Sequence, residues 1–568
     1  NFNHLLNKVL DVPSLIQRVA EHTGYTDTMV LQELIQQGVD EEQLRLFTVG
    51  KGEAARLFVT NTSVRQKNMK TVPRLIRKDE WYRRRSMAPE GQIMGVDLSP
   101  TYTKAVNYLS MIRYQPNAVV LQLMEELQRD DFFDDIRNKM ELLMMAEFRT
   151  YGTGPHLLPM FPDHRYRVYT DSSGVASYQG GDWHRAICDF AEAKPVNGED
   201  IHYTLPVIAS EYNVTEDNYR QILDAGVEFI KNPSDFGINK KPACSYRAAL
   251  AIKEMRETGK TAYIVQQDQS ASAIGYYSYF TGDVGAAKLS NFLPSKDKQC
   301  FYTAAAEYVK HGELLPEDCR GHSIFFEKTT GKAIIIPMVY SAANASQTRG
   351  LILDKPQTDG IKFVDSTGVY IPGSLDNHPE ESFNPQYAEI LKGMGWDLAV
   401  RVASDVARAY EIAVFDGLTC HLRTAMTSIK KASRVANKAG RKLTWESPSG
   451  CHIVNRKLVV DKDAERCTIN INHDGRRHRI SFLPVTEECS DSAAPPNFIH
   501  SVDASTVHNT AVSCEEEGIQ LAPIHDSFGV HACNAKRVKE ITRDSIVKTP
   551  TDMLDKLMVS QGLPALDL

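Results

Sequence analysis

Two apolar, β-prone runs, Ile519–Ile524 and Phe528–Ala532, are separated only by His525-Asp526-Ser527. So short a link between strands permits little except a tight antiparallel hairpin, with Asp526 at its tip. A second run, Ala262-Tyr263-Ile264-Val265, leads to Asp268 and then to a helical pattern. Each carboxylate thus ends an apolar strand, where burying it uncompensated is costly. Taken singly, each reads first as a helix cap or a turn residue. Taken together, Asp268 and Asp526 can hold two Mg²⁺ ions, which activate an attacking hydroxyl and stabilise the leaving oxygen of a phosphoryl transfer.

Composition excludes several classes. Of 568 residues, 42% are hydrophobic and 24% charged, which rules out a disordered or collagen-like chain. No apolar run is long enough to span a membrane, so no membrane partner is expected. Acidic residues (72) outnumber basic ones (65), for a net charge of −7, so any nucleic-acid contact should be a local basic cleft. Ten cysteines form no CxxC pair, which fits a reducing, cytoplasmic setting and no disulfide framework. The chain begins with Asn, and its first residues lack the apolar core of a signal peptide.

Along the chain, the first 65 residues read as helices. A basic run follows, from Arg65 and Lys67 through Lys70, Arg74, Arg77, Lys78 and Arg83 to Arg85. It is either a solvated face or a stretch that tracks phosphates. A long helical region should extend to about residue 150, and 155–182 reads as loop and short strands. Leu398, Val402, Val406 and Tyr410 recur every four residues, with Asp397 placed to cap. Leu418 to Ala436 forms another apolar stripe, ended by Gly440, and its opposite face carries Lys430, Lys431, Arg434 and Lys438. Residues 452–496 look β-rich, with a hairpin turning at Asp474-Gly475 and followed by Arg476, Arg477, His478 and Arg479. Gly259-Lys260-Thr261 is no phosphate-binding loop, because the required earlier glycine is Glu254.

Between the carboxylates lie Lys328 and Lys332, four apart, and Tyr340, eight further on. On a helix they would share a face and offer cations to a triphosphate. The run Ala333-Ile334-Ile335-Ile336 and Pro337 argue against a helix there.

Several separated segments resemble the single-subunit, bacteriophage and mitochondrial type DNA-directed RNA polymerases. Asp268-Gln-Ser270-Ala-Ser272-Ala273-Ile274 is similar to that family's DxSxSGI motif. Lys328-xxx-Lys332 with Tyr340 resembles its RxxxKxxxxxxxYG motif, and His525-Asp526-Ser527-Phe528-Gly529 matches HDSFG. Asp163-His-Arg165-Tyr166-Arg167-Val-Tyr169 is similar to DxRGRxY. Trp445-xx-Pro448-x-Gly450 and Pro496-Asn-Phe498-Ile-His500-Ser501-x-Asp503 resemble WxTPxG and PNFVHSxDG. These segments follow the family order across residues 150–545. The chain departs from the patterns at Lys328, where Arg is expected, and at Tyr166, Ala273 and Ser341, where Gly is expected.

The resemblance implies a helix-rich α/β, right-hand polymerase fold with palm, fingers and thumb. It divides the chain into a reduced N-terminal region (1–69), thumb-like helices (70–150), a first part of the palm (151–290), fingers (291–500) and a second part of the palm (501–568). A segment like the family's specificity hairpin falls at 452–496. Asp268 and Asp526 would ligate two Mg²⁺ ions, and Lys332 with Lys328 would hold the triphosphate. Tyr340 and His500 would select the ribose, and Arg165 and Arg167 would touch nucleic acid or order the sugar site. Lys430, Lys431, Arg434, Arg476 and Arg477 would bind nucleic acid. The implied partners are a DNA template, the RNA product and nucleoside triphosphates. Initiation would need an accessory protein, such as a single-stranded-DNA-binding protein, or a single-stranded template. The compact size suggests a phage enzyme working in host cytoplasm. The rival readings are a family A-like DNA polymerase and a catalytically silent nucleic-acid-binding subunit.

Overall fold

Apolar residues at helical spacing in the first forty positions produce two helices, α1 (Val12–Thr23) and α2 (Thr28–Asp40). The Asp27 carboxylate caps α2, accepting from Met29 N (2.9 Å) and Val30 N (3.1 Å). The expected helices then stop. Leu44–Val49 and Arg56–Asn61 pair antiparallel, with Leu44 opposite Asn61. Both segments are rich in β-branched and aromatic residues, and these favour a pleated surface over a helix. The computed structural model describes residues 10–23, 27–40, 44–49 and 56–61, nearly all of 99–341 and 396–566, and isolated positions between. The basic run at 65–85 lies outside the described residues.

The single long helical region expected up to residue 150 is three helices instead: Pro100–Ser110, Ala118–Arg129 and Lys139–Tyr151. A strand, Arg113–Pro116, separates the first two. Local chemistry explains the break. Pro116 disfavours continuation, and the Asn117 side chain caps the next helix through Val119 N and Val120 N, both at 3.1 Å.

The motif-bearing elements follow. Strand β1 (Val265–Asp268) turns through Ala271, at φ 52°, into α3 (Ser272–Thr281). Lys328 to Val339 is helix α4, contrary to the expectation from Pro337. That proline falls in the final turn, so its missing N–H leaves only the Ala333 carbonyl without its helical partner and little helix beyond it to disrupt. The Trp396–Ile412 helix buries Val402, Val406 and Tyr410 as expected and runs into a π-helical segment, Ala413–Leu418. Helix α5 (Leu422–Lys438) buries Leu422, Ala425, Ile429, Ala432 and Ala436, and Gly440 follows it at φ 67°. Strands β2 (Cys467–His473) and β3 (Arg476–Phe482) form the expected hairpin, with His473 opposite Arg476. The turn residues Asp474 and Gly475 lie outside the described residues.

Helix α6 (Ala494–Glu516) is buried on nearly every side, including the polar residues Ser501, Asp503, Thr506 and His508. It packs against the Pro100–Ser110 and Ala535–Val547 helices, α3 and α5. Strands β4 (Ala522–Ile524) and β5 (Ser527–Val530) complete a three-stranded sheet in the order β1-β5-β4. Two cores result. The larger joins the sheet, α3 to α6 and the helices around them. The smaller joins α1 and α2 to the hairpin through Leu15, Ile16, Leu31, Ile35, Ile469, Ile471, Ile480 and Phe482. Among the described residues, no helix is long and apolar enough to cross a membrane.

Candidate active site

The β1–β5 pairing brings the two carboxylates together. Asp268 stands opposite Ser527, and Gln269 N donates to the Asp526 carbonyl at 3.1 Å. His525 and Asp526 are the two turn residues between β4 and β5, and His525 has φ 55°. A hairpin turn of this length needs positive φ at its first central position, normally supplied by glycine. Here a histidine carries that strain beside the carboxylate, as functional turns often do. Its ring rests edge-on against Tyr169, centroids 5.0 Å apart. Burial pulls the His525 pKa down to about 3, so the ring is neutral.

Gly529 lets the three strands close. A Cβ there would lie 2.5 Å from Gln266 Nε2, 2.6 Å from Ile264 Cγ2 and 2.7 Å from the Ala522 carbonyl oxygen. Gly529→Ala should therefore cost about 1–3 kcal/mol through overpacking. Denaturant unfolding measures it, and an unchanged midpoint would refute the close approach.

Asp268 is open to solvent on one side and enclosed by protein on the others. Burial, with the Asp526 charge adding to it, pushes the Asp268 pKa up to about 7, and Lys332 on α4 opposes the rise. No described residue donates a hydrogen bond to the Asp268 carboxylate. Asp526 accepts from Ser272 Oγ at 2.8 Å through Oδ2. Two like charges held together with lone pairs unused are a donor set suited to a divalent cation. Among the described residues, no cluster of three or more Asp, Glu, His or Cys completes a cage. That fits a hard cation bound by one or two carboxylates together with substrate phosphates.

A second set of groups adjoins this pair. The Tyr340 ring lies 4.8 Å from the His500 ring, and its hydroxyl reaches Ser272. Arg165 Nη1 lies 2.6 Å from His500 Nδ1. A guanidinium can only donate, so Nδ1 accepts and the imidazole proton sits on Nε2. Burial, with Arg167 and Arg165 beside it, holds the His500 pKa well down and keeps the ring neutral. Asp163 organises both arginines. Its carboxylate accepts from Arg165 N (2.8 Å), Arg165 Nη2 (2.6 Å) and Arg167 N (3.1 Å). Burial alone would raise its pKa, but Arg165, His164 and Arg167 outweigh burial and keep it ionised. The Arg167 guanidinium pairs with Asp503 on α6, with Nε 3.0 Å from Oδ1 and Nη2 bonded to Oδ2.

The sequence-predicted residues therefore divide. Asp268, Asp526, Tyr340, His500, Arg165 and Arg167 converge, and Lys332 sits near enough to Asp268 to oppose its charge. Lys328 is exposed one turn earlier on α4. Arg165 and Arg167 are held by Asp163, His500 and Asp503. Lys430, Lys431 and Arg434 lie apart on α5, where Arg434 pairs with Asp491 at 2.7 Å. Arg476 and Arg477 lie on β3, and Arg477 is exposed.

The site also holds three partners not predicted from sequence: Ser272 for Asp526, Asp503 for Arg167, and Asp163 as the hub. All three fall inside quoted motifs, so their presence there was the available signal. Two of the departures from those motifs also have a shared backbone explanation. Tyr166 and Ser341 stand where the resemblance expects glycine, and both have positive φ, 63° and 68°. Tyr166 offsets that strain by burying its ring against Tyr102, with centroids 5.1 Å apart.

The family model for DNA-dependent RNA polymerase matches residues 397–560. The mitochondrial DNA-directed RNA polymerase of Schizosaccharomyces pombe is 23% identical, with 69% of this chain and 33% of the relative aligned. The chloroplastic/mitochondrial enzyme 2 of Arabidopsis thaliana is 28% identical over 71% of this chain and 40% of its own length. The enzyme of Pseudomonas phage phiKMV is 20% identical over 68% and 47%. The chain thus spans a third to a half of the length of these relatives. With the motif residues brought together around the two carboxylates, this chain is similar to DNA-dependent RNA polymerases over residues 397–560, and to the organellar and phage enzymes of that kind across about two-thirds of its length.

Proposed function

We propose that the chain catalyses template-directed ribonucleotidyl transfer on DNA. The observation that carries this reading is the convergence of Asp268 and Asp526 beside the Tyr340–His500 pair. Asp268 and Asp526 would hold two Mg²⁺ ions, which supply charge neutralisation for the attacking and leaving oxygens. The remaining roles fall to the chain's own side chains. Lys332, with Lys328, binds the triphosphate. The RNA 3′-hydroxyl gives up its proton to solvent and attacks the α-phosphate in line as the bond to the leaving pyrophosphate breaks, so positioning and electrostatics carry most of the rate. Tyr340 and His500 bracket the sugar, and Nε2–H of neutral His500 is a donor available to a 2′-oxygen. Arg165 and Arg167, fixed by Asp163 and Asp503, order that site.

In this reading 151–290 and 501–568 are the palm, 291–500 the fingers and 70–150 the thumb. The basic face of α5, with Lys430, Lys431 and Arg434, tracks phosphates, and the β2–β3 hairpin meets duplex DNA with Arg476 and Arg477. Initiation uses a partner protein or a single-stranded template.

Primer extension on a short RNA–DNA hybrid with Mg²⁺, offering ribo- or deoxyribonucleotides separately, tests the reading. Extension with ribonucleotides supports it. Preference for deoxyribonucleotides points to a DNA polymerase, and no extension with either points to a silent subunit. Tyr340→Phe should keep extension but admit deoxyribonucleotides far more readily. An unchanged sugar ratio would remove Tyr340 from selection.

A further inference from the structure

One edge of β2 pairs with β3, and the other would be an open row of backbone groups. Such an edge invites unwanted pairing unless something covers it. Here helix α2 covers it with side-chain amides. Asn470 N donates to Gln32 Oε1 at 2.8 Å, and Asn472 N donates to Gln36 Oε1 at 2.8 Å. Gln36 Nε2 returns a bond to the Asn472 carbonyl at 3.1 Å and is steadied by Asp40 Oδ1 at 2.8 Å. The spacing explains why this works. Four residues of helix advance about 6.0 Å. Two residues of strand advance about 6.8 Å, so Gln32 and Gln36 match alternate strand positions. The carboxamides replace a missing neighbouring strand.

This lock fixes which face of the hairpin is presented. Ile469, Ile471, Ile480 and Phe482 enter the core beneath α1 and α2. The alternate positions form cross-strand pairs, Asn470 with Arg479 and Asn472 with Arg477, and both arginines are exposed. A slip of one residue would exchange these two faces. A two-stranded ribbon fits the major groove, where Arg pairs with guanine edges and Asn with adenine edges.

We propose that Gln32 and Gln36 are positioning residues: they hold the hairpin in register so that its Asn/Arg face meets duplex DNA. The N-terminal helices thereby set template preference without touching DNA. The inference rests on the polymerase reading and on the hairpin's contact with duplex DNA.

The test uses the full chain on duplexes carrying a short pre-melted bubble and a randomised upstream segment, with sequencing of the templates that yield RNA. In the Gln32→Ala/Gln36→Ala variant, base enrichment in that segment should fall about fivefold or more. Amide exchange at Asn470 and Asn472 should accelerate, and extension of a primed RNA–DNA hybrid should not change. Gln36→Glu keeps the acceptor for Asn472 N and should retain more enrichment than Gln36→Ala. Arg477→Ala/Arg479→Ala separates the two layers. If it lowers enrichment while the glutamine variant does not, the positioning role is overturned. If it leaves enrichment unchanged, the hairpin's contact with DNA falls, and the inference falls with it. Equal loss of hybrid extension in the glutamine variant would mean a general folding role and would also overturn the proposal.

Discussion

Asp526→Asn should abolish RNA synthesis, by a factor on the order of 10³ or more, while the protein still folds and binds nucleic acid. The substitution keeps the shape of the side chain. An amide can still accept the Ser272 hydroxyl bond now made to Oδ2 at 2.8 Å, and the backbone bond from Gln269 N to the residue 526 carbonyl persists. What disappears is one of the two negative charges that face the proposed cation site. The fold should gain slightly, because the charge on Asp526 is one cause that pushes Asp268 up to about 7. The measurements are primer extension, hybrid binding and thermal unfolding on the same preparation. Synthesis within tenfold of the parent would remove Asp526 from the chemistry. Loss of binding and stability together with synthesis would make it a structural residue.

Arg167→Met should destabilise the protein by about 3–5 kcal/mol, because it leaves Asp503 as a buried charge with no partner. Asp503 is 2% exposed and Arg167 is its bidentate counterion. Burial pushes the Asp503 carboxyl up to about 6 even with Arg167 opposing the rise. The pH dependence follows in sign. Without the guanidinium, the folded-state pKa of Asp503 rises further above its unfolded value. The folded variant then takes up a proton that the unfolded chain releases. Its stability is retained at low pH and falls as pH rises through the new folded value. The deficit relative to the parent should therefore be larger at pH 8 than at pH 5. Denaturant melts at both pH values measure it. A deficit independent of pH would mean that Asp503 is not the group left unpaired. The double variant Arg167→Met/Asp503→Asn should recover much of the loss, since it removes the unpaired charge as well.

Local pattern revealed most of the elements that carry chemistry. The Ile519–Ala532 segment could only be a tight hairpin, and it is one, with Asp526 in its turn. The stripe of α5 and the β2–β3 strands were also legible, because burial of one face writes a period of 3.6 or 2 directly into the residues. Where local signals conflicted, tertiary context decided. Pro337 argued against a helix that forms regardless, since its position in the last turn is set by where α4 ends against the core. Leu44–Val49 and Arg56–Asn61 form a short strand pair that packs with α1 and α2, and no local pattern announced it. Within the site, the sequence named Asp268, Asp526, Tyr340, His500, Arg165 and Arg167, because their motifs are local strings. It could not say which carboxylate answers which arginine. Asp163 lies within four residues of both arginines, yet Arg167 turns instead to Asp503 on a helix far along the chain. Nor could it say that Gln32 and Gln36 complete the edge of β2. The sequence by itself determined the elements with an unbroken apolar period, such as α5, the β2–β3 strands and the β4–β5 hairpin, and which side chains carry charge. The tertiary structure alone decided the pairings between distant segments, because these depend on register, burial and the meeting of a helix rise with a strand rise, and no local pattern encodes them.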